Sequence, residues 1–521
     1  MNAVVRAGAI AVALLLYAAG PAAARDAVVM SFDGTPIHVT LHPAEGLDPG
    51  ERAPTILQTH GWGGSRDRDP ETPTDESTGN VGTGPLRDAG FNVLTWDSRG
   101  FGESGGIVQV DHKDFEGRDV QELLDWLAEQ PEAQLDAPGD PRAGMHGVSY
   151  AGGIELVTAA IDDRIEAIAP SIAWHSLLTA LYREDTVKGG WSTLLFAAGQ
   201  TGRLDPHIYS AFASGTTTGR LSEEDKAWFA SRGPAELVND ITAPTLLLQG
   251  TPDTLFTPSE AIRNYEILHA NGVPTMMMWF CGGHGTCLTG SGPPGHFERA
   301  VLAWLKRYVV GDASADTGPG FEWLADDARW RSAPAYPPER GRDIVGRGAG
   351  TLVVNPADAL SGTPIAAGPA VNAVDVPIPP VRAQVVGEPT VRLTYTATGA
   401  VTHVFAQIVD EERDVVVGNQ VTPLPVTADG APHTVTRALE GVAAAGGRYR
   451  LQVIGGSQVY GPVRAAGVVQ VANARIELPT ASTGVRKYVR SPVVAGAPAS
   501  RCALVTASLA PHGDPEVCRG T

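Results

Sequence analysis

From Asp26 to about Asp312 the chain alternates between two hydrophobic periods. Apolar runs of strand length, such as Thr55-Ile-Leu-Gln-Thr59, Val93-Leu-Thr-Trp96 and Ala243-Pro-Thr-Leu-Leu-Leu-Gln-Gly250, are separated by helical patterns such as Val120, Leu123, Leu124 and Leu127. Continuous apolar strands joined by helices predict a parallel α/β sheet covered on both faces. Between Ser171 and Pro234 the alternation lapses into helix-like stretches carrying Trp174, Tyr182, Trp191, Phe196, Tyr209 and Trp228. This predicts a helical cap over 171–235, inserted between the sixth and seventh strands, with most of these aromatics forming the cap's own core. A Pro/Gly/Trp-rich stretch, 313–348, reads as a connector containing Phe321-Glu-Trp323, Trp330 and Ala335-Tyr-Pro-Pro338. Beyond it the period becomes two: Val391, Leu393, Tyr395, then Val404, Ala406, Ile408, then Leu451, Val453 alternate with polar residues between glycine- and proline-rich turns. That predicts half-buried antiparallel strands and a β-sandwich of jelly-roll type over 349–480, followed by a C-terminal arm, 481–521.

The chemistry sits at the ends of the α/β strands. Arg142-Ala-Gly-Met-His-Gly-Val-Ser-Tyr-Ala-Gly-Gly153 reads as a short strand, a glycine-flanked serine and a helix start, the pattern of a nucleophile elbow. Ala151 replaces the usual final glycine, so the motif needs its partners. A serine hydroxyl requires a base to take its proton and a third group to orient that base. Asp253, in Thr251-Pro-Asp-Thr254 beyond one strand, is the candidate acid. His284, in Cys281-Gly-Gly-His-Gly-Thr-Cys287 beyond the next, is the candidate base. The order Ser149, Asp253, His284 is that of α/β-hydrolases, in which catalytic groups collect beyond the carboxyl ends of strands. Thr55-Ile-Leu-Gln-Thr-His-Gly-Trp-Gly-Gly64 reads as a strand and a glycine-rich oxyanion loop, making the backbone N–H groups of Trp62 and Tyr150 the candidate oxyanion donors. Trp62 is also a candidate wall of the acyl pocket. Asp97-Ser-Arg-Gly-Phe-Gly102 reads as a structural turn.

Each assignment has a plainer rival. Asp253 could cap the helix starting near Pro258. His296 competes with His284 but precedes the helical pattern Phe297, Val301, Leu302, Leu305 and reads as part of that helix's start. His60 and His146 adjoin the oxyanion loop and the elbow and read as structural. Cys281, His284 and Cys287 have the spacing of a partial zinc site. With no third thiolate nearby, a Cys281–Cys287 disulfide across the histidine loop is the preferred reading, with Cys502 and Cys518 paired separately. No metal or organic cofactor is expected.

Met1 to Ala24 carries Arg6, an apolar core from Ala7 to Ala19 and the pattern Ala22-x-Ala24, which predicts a signal peptide cleaved before Arg25 and a secreted or periplasmic product. No later run of about 20 apolar residues predicts a membrane span. With 39 Lys and Arg against 58 Asp and Glu, the net charge is −19, and nucleic acid is not an expected partner. The oligomeric state is not legible. A small-molecule ester or a short peptide is the expected substrate. The competing class is a secreted glycan- or cell-wall-binding protein whose hydrolase domain is inert.

Taken together, Gly147-Val-Ser-Tyr-Ala-Gly152, Leu247-Leu-Gln-Gly-Thr-Pro-Asp-Thr-Leu-Phe256, Gly282-Gly-His284 and the stretch from Phe321 to Pro338 resemble the Xaa-Pro dipeptidyl-peptidase and cocaine-esterase-like family of α/β-hydrolases. The resemblance spans nearly all of the chain after residue 24. It implies an α/β-hydrolase domain over 25–312, a C-terminal jelly roll of galactose-binding-like type, and Ser149, Asp253 and His284 as the triad. Some members use a tyrosine hydroxyl on the oxyanion loop, whereas His60-Gly-Trp-Gly-Gly64 has none, which favours a backbone donor at Trp62. Members cleave prolyl peptides, acyl esters or amino-acid esters. The peptidases hold a substrate ammonium with cap carboxylates, for which Glu184, Asp185 and Asp205 are available here without a clear alignment.

Overall fold

The computed structural model describes residues 23–482 and 486–487. The expected signal peptide up to Ala22 and the expected Cys502–Cys518 pair lie outside the described residues.

Eleven strands build the main sheet: β1 (Arg25–Met30), β2 (Pro36–His42), β3 (Thr55–Thr59), β4 (Asn92–Trp96), β5 (Ala143–Val148), β6 (Ile165–Ser171), β7 (Thr245–Gly250), β8 (Thr275–Phe280), β9 (Phe321–Leu324), β10 (Trp330–Ala333) and, paired antiparallel to β10 at the edge, the short strand Arg486–Lys487. The spatial order up to that edge strand is β1-β2-β4-β3-β5-β6-β7-β8-β9-β10. The sheet is parallel from β4 to β9 and antiparallel at both ends. Successive residues of its central strands feed opposite cores, as a period of two requires. Leu57, Leu94, Leu247 and Met277 pack on one face, with α2 (Glu116–Ala128), α3 (Tyr150–Ile161) and α8 (Pro258–Ala270). Ile56, Val93, Leu246 and Met278 pack on the other, with α1 (Thr83–Asp88) and α9 (His296–Leu305). The expected face of α2, Val120, Leu123, Leu124 and Leu127, is wholly buried.

Between β6 and β7 the chain leaves the sheet for four cap helices, α4 (Leu177–Leu181), α5 (Gly189–Gly199), α6 (Pro206–Thr218) and α7 (Glu223–Ala230). The stretch read as a connector carries β9 and β10, so the sheet continues through it. Phe321 and Trp323 are fully buried there, stacked 5.0 Å apart. Short length and flanking turns hid these strands from a periodicity argument.

Two antiparallel sheets follow. The first has the order β11 (Ile344–Val354), β18 (Gly467–Leu478), β13 (Thr390–Gly399), β16 (Pro432–Ala438). The second runs β12 (Ala373–Pro377), β17 (Tyr449–Ile454), β14 (His403–Asp410), with β15 (Thr422–Pro425) and Val415–Val416 also pairing β14. Val391, Leu393, Tyr395, Leu451 and Val453 share the core between them, as in a jelly roll. The sandwich also touches the cap: Phe405, Val409 and Tyr460 lie in one apolar cluster with Trp174, Leu177 and Trp191. Among the described residues no helix is long and apolar enough to cross a membrane.

Candidate active site

Ser149 occupies the turn between β5 and α3 with φ 61° and ψ −113°, a left-side conformation that is costly for a side-chain-bearing residue. Its neighbours make the turn possible. A Cβ on Gly147 would lie 2.5 Å from the Ala151 Cβ, so the elbow closes only with glycine there. The Ser149 N–H donates to the Ser171 carbonyl at 2.9 Å, which pins the turn to the end of β6.

Asp253 follows β7 and is completely buried. Its Oδ1 accepts the N–H groups of Leu255 at 2.9 Å and Phe256 at 3.1 Å, which fixes the carboxylate before any partner is considered. Its Oδ2 accepts the His284 backbone N–H at 3.1 Å and faces His284 Nδ1 at 2.7 Å. On the other side of the ring, His284 Nε2 lies 2.7 Å from Ser149 Oγ. With the carboxylate opposite Nδ1, that nitrogen carries the proton and Nε2 accepts from the serine hydroxyl. Three side chains predicted from three strand ends therefore meet in one hydrogen-bonded relay.

The loop that presents His284 is tightly held. Gly283 has φ 100°, and a Cβ on it would lie 2.8 Å from Asp253 Oδ2. Its N–H donates to the Ser77 carbonyl at 2.7 Å. Cys281 and Cys287 form the expected disulfide, with Cα atoms 5.2 Å apart, rather than a zinc site. Phe256 and Trp191 meet the imidazole edge-on, at 5.2 and 5.9 Å.

Sequence reasoning missed a second layer of support, which comes from the cap and the sandwich. Gln420, buried after a left-handed turn at Gly418 and Asn419, donates through Nε2 to the carbonyls of Thr251 at 3.0 Å and Asp253 at 2.8 Å. Asn419 Nδ2 donates to the Thr286 carbonyl in the histidine loop at 2.8 Å. Lys188, fully buried in the cap, donates to the carbonyls of Thr254 and Leu255, each at 2.9 Å, and burial lowers its pKa to about 8. Trp191 Nε1 donates to Thr254 Oγ1 at 2.9 Å, and that hydroxyl donates to the Ile365 carbonyl at 2.7 Å. No local pattern announces such residues, because they lie far along the chain from the loops they hold.

Trp62 and Tyr150 stand beside the serine, their rings 5.4 Å apart at 73°. Among the described residues, no acceptor takes the backbone N–H of either one. Trp62 Nε1 donates to the Leu195 carbonyl at 2.8 Å, tying the glycine-rich loop after β3 to α5. Ser149, Trp62 and Tyr150 open into a cleft of about 920 Å³, part of it open to solvent, under the cap. Of the cap aromatics, Trp174, Trp191 and Trp228 are buried in an apolar cluster as expected, while Trp174, Tyr182 and Phe196 also line this cleft and Tyr209 is exposed.

The rival residues have structural roles. The helix beginning at Pro258 has Thr257 at its N-cap, so Asp253 does not cap it. His296 is buried 2.8 Å from Glu322 and stacked on Trp330. His60 bonds the Gly61 carbonyl and the Ser98 N–H, and burial lowers its pKa. His146 Nε2 accepts the Val81 N–H at 2.9 Å and its Nδ1 donates to the Ala169 carbonyl at 2.8 Å; burial lowers its pKa to about 4. Asp97 accepts the N–H groups of Arg66 and Glu103 and pairs with the Arg66 guanidinium, confirming that turn as structural.

Residues 33–286 match the profile of the family described as X-Pro dipeptidyl-peptidase (S15 family). A putative Xaa-Pro dipeptidyl-peptidase of Rhodopirellula baltica is 25% identical over 284 residues, 49% of this chain and 44% of the relative. The chain thus spans less than half the length of the curated relatives it matches. Among solved structures, an α-amino acid ester hydrolase superposes with a TM-score of 0.67 at 13% identity, covering 88% of this chain and 96% of the other. An aminopeptidase from a marine-sediment Thaumarchaeota archaeon gives 0.68 at 14% identity, again over 88% and 96%. At these identities the likeness shows the fold, including both the capped sheet and the sandwich.

Proposed function

We propose that this chain, whose residues 33–286 match the X-Pro dipeptidyl-peptidase (S15) family, is a serine hydrolase of the α/β-hydrolase fold acting by acyl transfer on a small ester or a short peptide. The observation that carries this reading is the relay of two 2.7 Å contacts linking Asp253, His284 and Ser149 at the floor of the cleft.

In the proposed cycle Ser149 Oγ attacks the substrate carbonyl while its proton passes to His284 Nε2. The new Oγ–C bond leaves an oxyanion, for which the backbone N–H groups of Trp62 and Tyr150 are the donors. As the intermediate collapses, the bond to the alcohol or amine breaks and His284 returns the proton to that leaving group. Water then attacks the acyl-enzyme, giving its proton to His284, and the acid departs as the proton returns to Ser149. Asp253 keeps the imidazole in one tautomer and stabilises its cation. The chain's own residues supply every proton transfer. The leader at Met1–Ala24 supports export to the periplasm or beyond.

The competing reading, a glycan-binding protein with an inert hydrolase domain, gains nothing from a site in which nucleophile, base and acid are all in contact. The discriminating experiment is turnover of p-nitrophenyl acetate by the purified chain and by Ser149→Ala. The proposal requires turnover by the first and a loss of about 10⁴-fold or more in the second. Equal rates in both would refute it.

A further inference from the structure

The family relationship leaves open whether the substrate carries charge, and the cleft walls bear on this directly. Leu178, Leu195, Phe196, Ile208, Phe212 and Phe229 of the cap face it, and no described lysine, arginine, aspartate or glutamate lines it. The acids available for a substrate ammonium are engaged elsewhere. Glu184 forks to Arg437 of the sandwich at 2.8 and 3.1 Å. Asp185 faces a separate cleft between cap and sandwich. Asp205 caps α6, accepting the His207 N–H at 3.0 Å and Gln109 Nε2 at 2.9 Å.

Asp111 lies next to the cleft, since the preceding Val110 lines it. Its carboxyl is buried behind that wall, close to Gly153 and Trp174, and neither oxygen has a hydrogen-bond partner. Burial pushes it well above the usual carboxylate range, which favours the neutral acid. An ammonium entering the cleft would lose its hydration and meet no opposite charge, whereas an apolar chain gains by the same transfer.

We infer that the substrate is a neutral ester whose apolar acyl chain fills the cap cleft, and not a peptide or amino-acid ester bearing a free α-ammonium. This rests on the acyl-transfer reading above and adds the substrate class.

The test compares kcat/KM at pH 7 for p-nitrophenyl acetate and hexanoate, and for the p-nitrophenyl esters of L-alanine and N-acetyl-L-alanine. Each buried methylene contributes roughly a factor of four at most, so hexanoate should exceed acetate by at least about tenfold. The N-acetyl ester should exceed the free amine by about tenfold or more. Leu178→Glu, which places a carboxylate on the partly exposed face of α4, should narrow that second ratio, and an unchanged ratio counts against the inference. A preference for the free amine that vanishes in Asp111→Asn would overturn it. Loss of all four activities in Ser149→Ala, together with a free-amine preference in the native chain, removes the substrate class but leaves acyl transfer standing. Undiminished activity in Ser149→Ala removes both.

Discussion

Gln420→Leu removes the donor by which the sandwich holds the acid loop while nearly preserving side-chain volume. The native amide satisfies two buried carbonyls, those of Thr251 and Asp253, at 3.0 and 2.8 Å. A buried carbonyl left without a donor costs about 1–3 kcal/mol, so two such losses sum to about 2–6 kcal/mol if the loop stays in place. If the loop instead shifts to find water, stability falls less but Asp253 moves relative to His284. Misplacement by about 1 Å near a reacting group costs on the order of 10²-fold in rate. The expected outcome lies between these limits: kcat falls by about 10- to 100-fold, KM changes by less than about threefold, and the unfolding midpoint drops by several degrees. Steady-state kinetics on p-nitrophenyl butyrate, with denaturant unfolding of the same samples, separates the two effects. A kcat within twofold of the native value, alongside the full stability loss, would show that the sandwich supports the fold without positioning the acid, and the reasoning would fail.

Replacing both Cys281 and Cys287 by alanine opens a loop of sequence separation 6 and should lower stability by roughly 2 kcal/mol in the chain-entropy account. Because that loop carries His284, kcat should fall more than KM rises; an unchanged melting temperature and kcat would contradict this. His146 is held neutral with a folded-state pKa near 4 against an ordinary 6.5. As pH falls, the unfolded chain therefore takes up the proton first, and stability present above pH 6.5 is lost progressively down to pH 4, by about 3 kcal/mol from this group. Denaturant unfolding of the native chain and of His146→Gln between pH 7 and 4 should show a slope shallower by up to one proton in the variant, and equal slopes would refute the assignment.

The triad was legible because each member sits directly beyond an apolar strand in a short glycine-bearing motif, where chemistry and backbone requirement coincide. The sandwich strands were legible for a similar reason: Val391, Leu393 and Tyr395 alternate cleanly because only one face of their sheet is buried. Phe321–Leu324 and Trp330–Ala333 were not, since a strand of four residues buried on both sides has no period to display. Gln420 and Lys188 lay further from reach. Each is a single polar residue whose partner carbonyls are brought to it only by the packing of cap and sandwich on the sheet. The division of cap aromatics between cleft and core depends likewise on helix orientation, which spacing alone does not fix.

The most direct test of the central claim is the site of covalent capture by a fluorophosphonate, read by mass spectrometry of the digested protein. The account predicts one phosphonyl adduct on the peptide containing Ser149, formed in the native chain and strongly slowed in His284→Ala. An unmodified Ser149 peptide in folded protein, or modification at the same rate without His284, would contradict it.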